Sequence, residues 1–230
     1  MVKLTLEDKL DFLWNDFLKF VKNGVSTGKY PKEISQNFKK ITKKFVKGFS
    51  EDALKYPRCG SCKNNCCAHI SGKIPLTLLD VARLIDNGYQ SDIQGNFKGF
   101  SILLDKYLDT KDETVFNEIN VLLFYGLNNE YVPFLKKIGS RCVFFDEYKG
   151  CKIQKIKPMA CRRSPYQINF ETKFVEFKDP CGYCKTEITE EEKDEIIKEI
   201  VESENQRTRD LSLMMLNKEN LKKIGFAEYL

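Results

Sequence analysis

The chain has 230 residues, 42% of them hydrophobic, 12% aromatic and 31% charged, with a mean hydropathy of -0.42 and a net charge of +5. That is enough apolar material to bury a core without disulfides, and no apolar run approaches the ~20 residues of a membrane-spanning helix. The opening MVKLTLEDKLDFLW carries Glu7, Asp8 and Asp11 within its apolar pattern, which argues against a secretory leader and for the cytoplasm, where thiols stay reduced.

Charge is unevenly spread. Residues 1–50 hold eleven Lys against five acids, and 187–204 hold nine acids against two Lys, so opposite ends of opposite sign are able to pair. The first element is a helix with Leu6, Leu10, Leu13, Phe17 and Val21 on one face and Thr5 as N-cap, three residues before Asp8. After a break from Gly24 to Pro31, a second helix is expected, with Ile34, Phe38, Ile41, Phe45 and Phe49 on one side and Lys39, Lys40, Lys43, Lys44 and Lys47 on the other. On that helix the aromatic residues, Phe45 included, fall on the side away from the lysines, so a solvated helix face is expected there and nucleic acid is not an expected partner.

Leu76 to Asp86 reads as a short helix capped by Thr77 and Asp80, and 87–130 as mixed and partly helical. Between 131 and 176, YVPFLKKI, CVFFDE and QINFETKFVEF are rich in β-branched and aromatic residues and broken by Gly139, Gly150 and Pro165, which predicts short antiparallel strands. Thr189 and Glu192 form a capping box for a last helical region, with Ile196, Ile197, Ile200, Val201, Leu211, Met214 and Met215 as apolar faces.

The nine cysteines carry the chemistry. Cys59, Cys62, Cys66 and Cys67 fall within nine residues, Cys142 and Cys151 flank the turn DEYKG, Cys161 follows Pro158 on a single helical turn, and Cys181 and Cys184 form a C-x2-C pair. Packing does not explain such clustering in a reduced compartment; metal ligation does. On a helix, Cys59, Cys62 and Cys66 would lie within about 60° of arc, while Cys67 would point about 100° away and would bridge, serve a second metal or pack.

Three close cysteines and a distant fourth suit a cuboidal iron–sulfur cluster, expected to be of the 4Fe–4S type, better than the paired knuckles of structural zinc, the alternative metal. The ligand set expected is Cys59, Cys62, Cys66, Cys67, Cys142, Cys151, Cys161 and Cys181, with Cys184 and His69, the one histidine, as further candidates. Arg162 and Arg163 beside Cys161 would lower its thiolate pKa, compensate a negative cluster or attract an anion. Asp146 is expected to support the turn before Cys151, and Asp80 and Arg83 to act as helix cap and surface pair.

The segments CGSCKNNCC, LTLLDVARL, GSRCVFFDEYKGCKI and KPMACRRSPY occur in that order over roughly residues 58–185. Together they resemble the YkgJ-type cysteine-cluster family, whose members are regarded as zinc- or iron-chelating and some of which act as, or are fused to, flagellin lysine N-methylase. Lys157 and Tyr166 depart from the family's Arg and Phe, Cys184 is extra, and no Gly-rich cofactor loop of the Rossmann type is present.

The fold expected is therefore α+β, with a small antiparallel strand region around a cysteine-lined metal centre and with helices at both ends. Its regions are 1–50 (helical), 51–186 (cysteine-cluster core) and 187–230 (C-terminal helices). The leading function is metal binding in a redox, metal-handling or accessory role. The alternatives are a lysine N-methylase-like enzyme acting on a protein substrate, and a structural zinc domain that binds protein or nucleic acid through the basic face at Lys39–Lys47.

Overall fold

The computed structural model describes residues 4–32, 40–55, 67, 73–110, 112–115, 132–177 and 188–230. Long helices combine with strands of two to four residues, the α+β class expected. Among the described residues no helix is long and apolar enough to cross a membrane. The chain divides into two units. One comprises Met1–Lys39, Lys73–Lys137 and Gln206–Leu230; the other comprises Lys40–Gly72 and Ile138–Asn205.

In the first unit the helix Leu6–Ser26 begins with the expected capping box, Thr5 and Asp8 each accepting the other's backbone N–H. It buries Leu6, Leu10, Trp14, Phe17 and Val21. This stripe packs against the helix Leu78–Asp86, which buries Leu78, Leu79, Val81, Ala82 and Leu84. Polar groups fix the angle of approach. The Asp86 carboxylate accepts the backbone N–H groups of Leu6 and Glu7 at 2.7 and 2.9 Å, two donors that a helix's first turn otherwise leaves unpaired. Arg83 pairs with Glu7 at 2.8 Å.

The helix Lys98–Thr110 adds Phe100 and Leu104, both essentially fully buried. Strand Ile93–Gln94 pairs antiparallel with Phe134–Leu135. At the C-terminus the helical stretch Lys218–Leu221 runs into a wide turn, Lys222–Phe226, that buries Leu221 and Phe226. Gly225 is required there: its φ is +133°, and a Cβ would sit 3.2 Å from Leu6.

The second unit is built on a three-stranded sheet in the order Gly48–Phe49, Phe174–Phe177, Tyr166–Ile168. The last two strands are antiparallel, as expected, but the first runs parallel to its neighbour, with Gly48 opposite Phe174 and Phe49 opposite Val175. Ala53, Tyr166, Ile168, Val175, Ile188, Ile196 and Ile200 form its apolar core. The helix Glu190–Leu216 starts with the predicted box between Thr189 and Glu192. It gives its residues through Asn205 to this unit and the remainder to the other.

One expectation needs correcting. The helix over 34–49 is absent where the chain is described: Lys43–Phe45 is a short turn and Gly48–Phe49 a strand. The backbone N–H groups of Lys47 and Ser50 donate to Lys173 and Val175 at 2.9 and 2.8 Å, so distant sheet pairing takes the bonds a helix would have used. Phe45 and Phe49 still pack against the core of this unit. Residues 33–39 lie outside the described residues. The suggested pairing of opposite charges is realised in part, by Lys43 with Asp194 at 3.2 Å, an exposed pair.

Candidate metal centre

The two stretches of the second unit, Lys40–Gly72 and Ile138–Asn205, carry all nine cysteines, and the three stretches of the first unit carry none. Cys59, Cys62 and Cys66 with the helical arrangement considered for them, the pair Cys181 and Cys184, and His69 lie outside the described residues. Described are Cys67, Cys142, Cys151 and Cys161, and no two of these are joined to each other by a disulfide.

Each of the three downstream cysteines is held by a local device. Cys142 is buried in the strand Arg141–Cys142. Cys151 ends a hairpin in which Phe145–Asp146 pairs antiparallel with Gly150–Cys151. The turn is shaped by Asp146, whose Oδ1 accepts the N–H groups of Tyr148 and Lys149 at 2.9 and 3.0 Å, the supporting role expected of it. Those backbone donors hold the Asp146 carboxyl below its ordinary pKa. Gly150, at φ +73°, completes the turn where a side chain would be strained.

Cys161 lies, as expected, on a single helical turn, Met159–Arg163, entered from Pro158. The Pro158 carbonyl accepts the N–H groups of both Cys161 and Arg162 at 2.9 Å. Phe144, Ile153 and Met159, neighbours of these cysteines in sequence, are buried. Such apolar surroundings limit water at a thiolate–metal centre.

The arginines beside Cys161 are committed to acids on the helix Glu190–Leu216. Arg162 pairs with Glu202 at 2.7 Å and approaches Glu199 at 3.8 Å. Arg163 pairs with Glu204 at 3.3 Å, with side chains only 18% and 6% exposed. Their charge is thus matched within this unit, and the pairs tie the Cys161 turn to the long helix. These glutamates were missed from the sequence. Their signal was the acidic run 187–204, to which an arginine pair inside the motif region is an obvious complement.

Among the described residues no group of three or more cysteine, histidine, aspartate or glutamate side chains converges as a ready metal site. The donor set itself suits zinc or iron: the cysteines of the unit supply soft thiolates, which both metals accept.

The LTLLDVARL element belongs to the cysteine-free unit. Its Asp80 is buried and accepts the Thr77 N–H at 3.0 Å, the predicted cap. Arg83 makes the pair with Glu7 already described. Beside this cap, Leu78 donates its N–H to Asp210 at 2.7 Å. Burial pushes the Asp210 carboxyl up to about 7, opposed by Arg209, the Leu78 N–H and Gln206 and reinforced by the charge of Asp80.

Residues 58–185 match the model of the CxxCxxCC family, described as "Putative zinc- or iron-chelating domain". A stretch of 41 residues is 44% identical to "Uncharacterized protein MJ0661" of Methanocaldococcus jannaschii, covering 17% of this chain and 22% of that protein. No solved structure matches. The family match takes in more than half of the chain and every cysteine in it, together with the hairpin and the one-turn helix that hold Cys142, Cys151 and Cys161. On that extent of match the chain belongs to the CxxCxxCC family and is a metal-binding cysteine-cluster protein.

Proposed function

We propose that the second unit holds an iron–sulfur centre, of the 4Fe–4S type, whose ligands come from Cys59, Cys62, Cys66, Cys67, Cys142, Cys151, Cys161 and Cys181. The observation that carries this reading is the segregation of thiols. Two stretches separated by the 65 residues of Lys73–Lys137 come together as one unit and bring every cysteine of the chain with them. A structural role for cysteine as a small apolar filler would spread it over both units.

The chain's own contributions are positional. The Asp146 turn presents Cys151, the Pro158 start presents Cys161, and burial keeps Cys142 from bulk solvent. Cys59, Cys62 and Cys66 supply the closely spaced thiolates and the downstream cysteines complete the coordination. When bound, such a centre supplies one-electron redox chemistry or a cross-link for the fold. The role is redox, metal-handling or accessory, in a reducing compartment such as the cytoplasm.

Anaerobic purification followed by iron, zinc and acid-labile sulfide analysis tests the reading. Iron and sulfide in similar amounts, with a brown colour, support it. Zinc without sulfide would overturn the iron–sulfur assignment while keeping thiolate ligation, and a protein free of metal would overturn both.

A further inference from the structure

The corrected conformation of residues 43–49 alters the surroundings of their lysines. A helix would hold Phe45 and Phe49 on the side opposite the lysines. The observed turn and strand place no such separation, and parallel pairing with Phe174–Phe177 brings a second aromatic segment alongside. The rings of Phe45 and Phe170 lie 5.8 Å apart. Phe174 lies over Gly48, where a Cβ would meet its ring at 3.2 Å. Phe170 and Phe174 remain 39% and 38% exposed.

Cations lie on the same segments as these rings. The Lys173 ammonium sits 5.3 Å from the centre of the Phe45 ring. Lys40, Lys44 and Lys47 are exposed, while Lys43 is taken up by Asp194. Four acids are close in sequence: Glu51 and Asp52, exposed just after the strand Gly48–Phe49, Glu171, exposed in the turn, and Glu176, bonded to Asn169.

Lys173 is unusual in its backbone as well. It is the one non-glycine residue with positive φ (+65°) among the described residues, in the turn between the strands Tyr166–Ile168 and Phe174–Phe177. Glycine occupies such a left-handed position at lower cost, and strain kept at one site points to a use for the side chain.

We propose that Phe170 and Phe174, backed by Phe45 and joined by Lys44, Lys47 and Lys173, form a binding surface for single-stranded nucleic acid. Exposed flat rings accept stacked bases and are indifferent to their identity, and ammonium groups follow the phosphates. Lysine is a point charge without the planar fork that reads base edges, so binding is tolerant of sequence. Double-stranded nucleic acid keeps its bases stacked on each other and offers the rings nothing.

The test is fluorescence anisotropy of the full-length, anaerobically purified protein with a fluorescein-labelled ten-nucleotide oligothymidylate over a salt series. Three lysines at about 0.7 each predict a slope of log affinity against log salt near -2. Phe170→Ala should weaken binding by about fivefold or more. Lys173→Gly is the discriminating variant: it removes the backbone strain, so melting temperature holds or rises, yet it should lower both the affinity and the salt slope. Phe20→Ala, an exposed aromatic on the other unit, should leave binding unchanged. The proposal fails if binding is undetectable at low salt, if a duplex of the same length binds as tightly, or if Phe170→Ala and Lys173→Gly bind like the parent.

Discussion

The two units solve the problem of stability by different means. Of the eleven largest fully buried side chains among the described residues, ten belong to the first unit: Leu10, Leu78, Val81, Leu84, Phe100, Leu104, Leu135, Leu213, Leu221 and Phe226. Ile200 alone belongs to the second. The second unit instead has strands of two to four residues, a modest apolar cluster and all nine cysteines. A unit with so small a core needs a further source of stability, and metal ligation is the one its composition supplies. The first unit needs none. On the proposed reading, function and fold are coupled in one half of the molecule and uncoupled in the other.

The largest expected effect comes from breaking the ligand set. Cys62→Ala should lose most of the bound metal and destabilise the second unit by several kcal/mol, because metal affinity there is folding free energy. Cys184→Ala, outside the expected ligands, should be milder. Metal content of the two purified variants distinguishes them, and an unchanged content in Cys62→Ala would separate that cysteine from the centre.

A core truncation in the first unit should do the reverse. Leu10→Ala removes a fully buried side chain, a change that costs about 2–5 kcal/mol in a packed interior. The fluorescence of Trp14, the chain's one tryptophan and a buried residue of the same helix, reports the loss directly. Metal content should stay as in the parent.

Acidity sharpens the same contrast. The Asp210 carboxyl is pushed up to about 7 in the folded first unit, mainly by burial, and returns to an ordinary value near 3.8 when unfolded. Between those values the folded chain keeps a proton that the unfolded chain has released. Its contribution is therefore fully present below about 3.8, is lost as pH rises through about 7, and is constant above. Urea titrations followed at Trp14 should show stability falling over that range, and Asp210→Asn should flatten the profile. A smaller effect is expected at the cap: Thr77→Ala should cost about 1 kcal/mol, visible in the same assay.

What the sequence disclosed follows the range of the interactions involved. The three capping boxes, Thr5 with Asp8, Thr77 with Asp80 and Thr189 with Glu192, depend on residues three apart and were legible. So were the Asp146 turn before Cys151 and the Pro158 turn bearing Cys161. The helix expected over 34–49 was not realised in its described part because Gly48 and Phe49 find their partners more than a hundred residues away, at Phe174 and Val175. Nothing local in the stretch announces that pairing, since its apolar spacing is that of a helix.

The candidate site divides the same way. Clustered spacing marked the cysteines as ligands, whereas the acids that hold Arg162 and Arg163 come from a helix some forty residues on. Trp14 is buried and stacked on Phe17, whereas Leu13, which the helical spacing favoured, is half-buried.

Hydrogen exchange of the whole chain before and after metal removal tests the division of labour most directly. The account predicts that chelation exposes the amides of 40–55, 138–177 and 190–205, while Leu6–Ser26, Leu78–Asp86 and Lys98–Thr110 keep their protection. Uniform loss across both units would contradict the independence of the apolar unit. Full protection of 138–177 without metal would contradict the central claim that the cysteine-bearing unit folds around its metal.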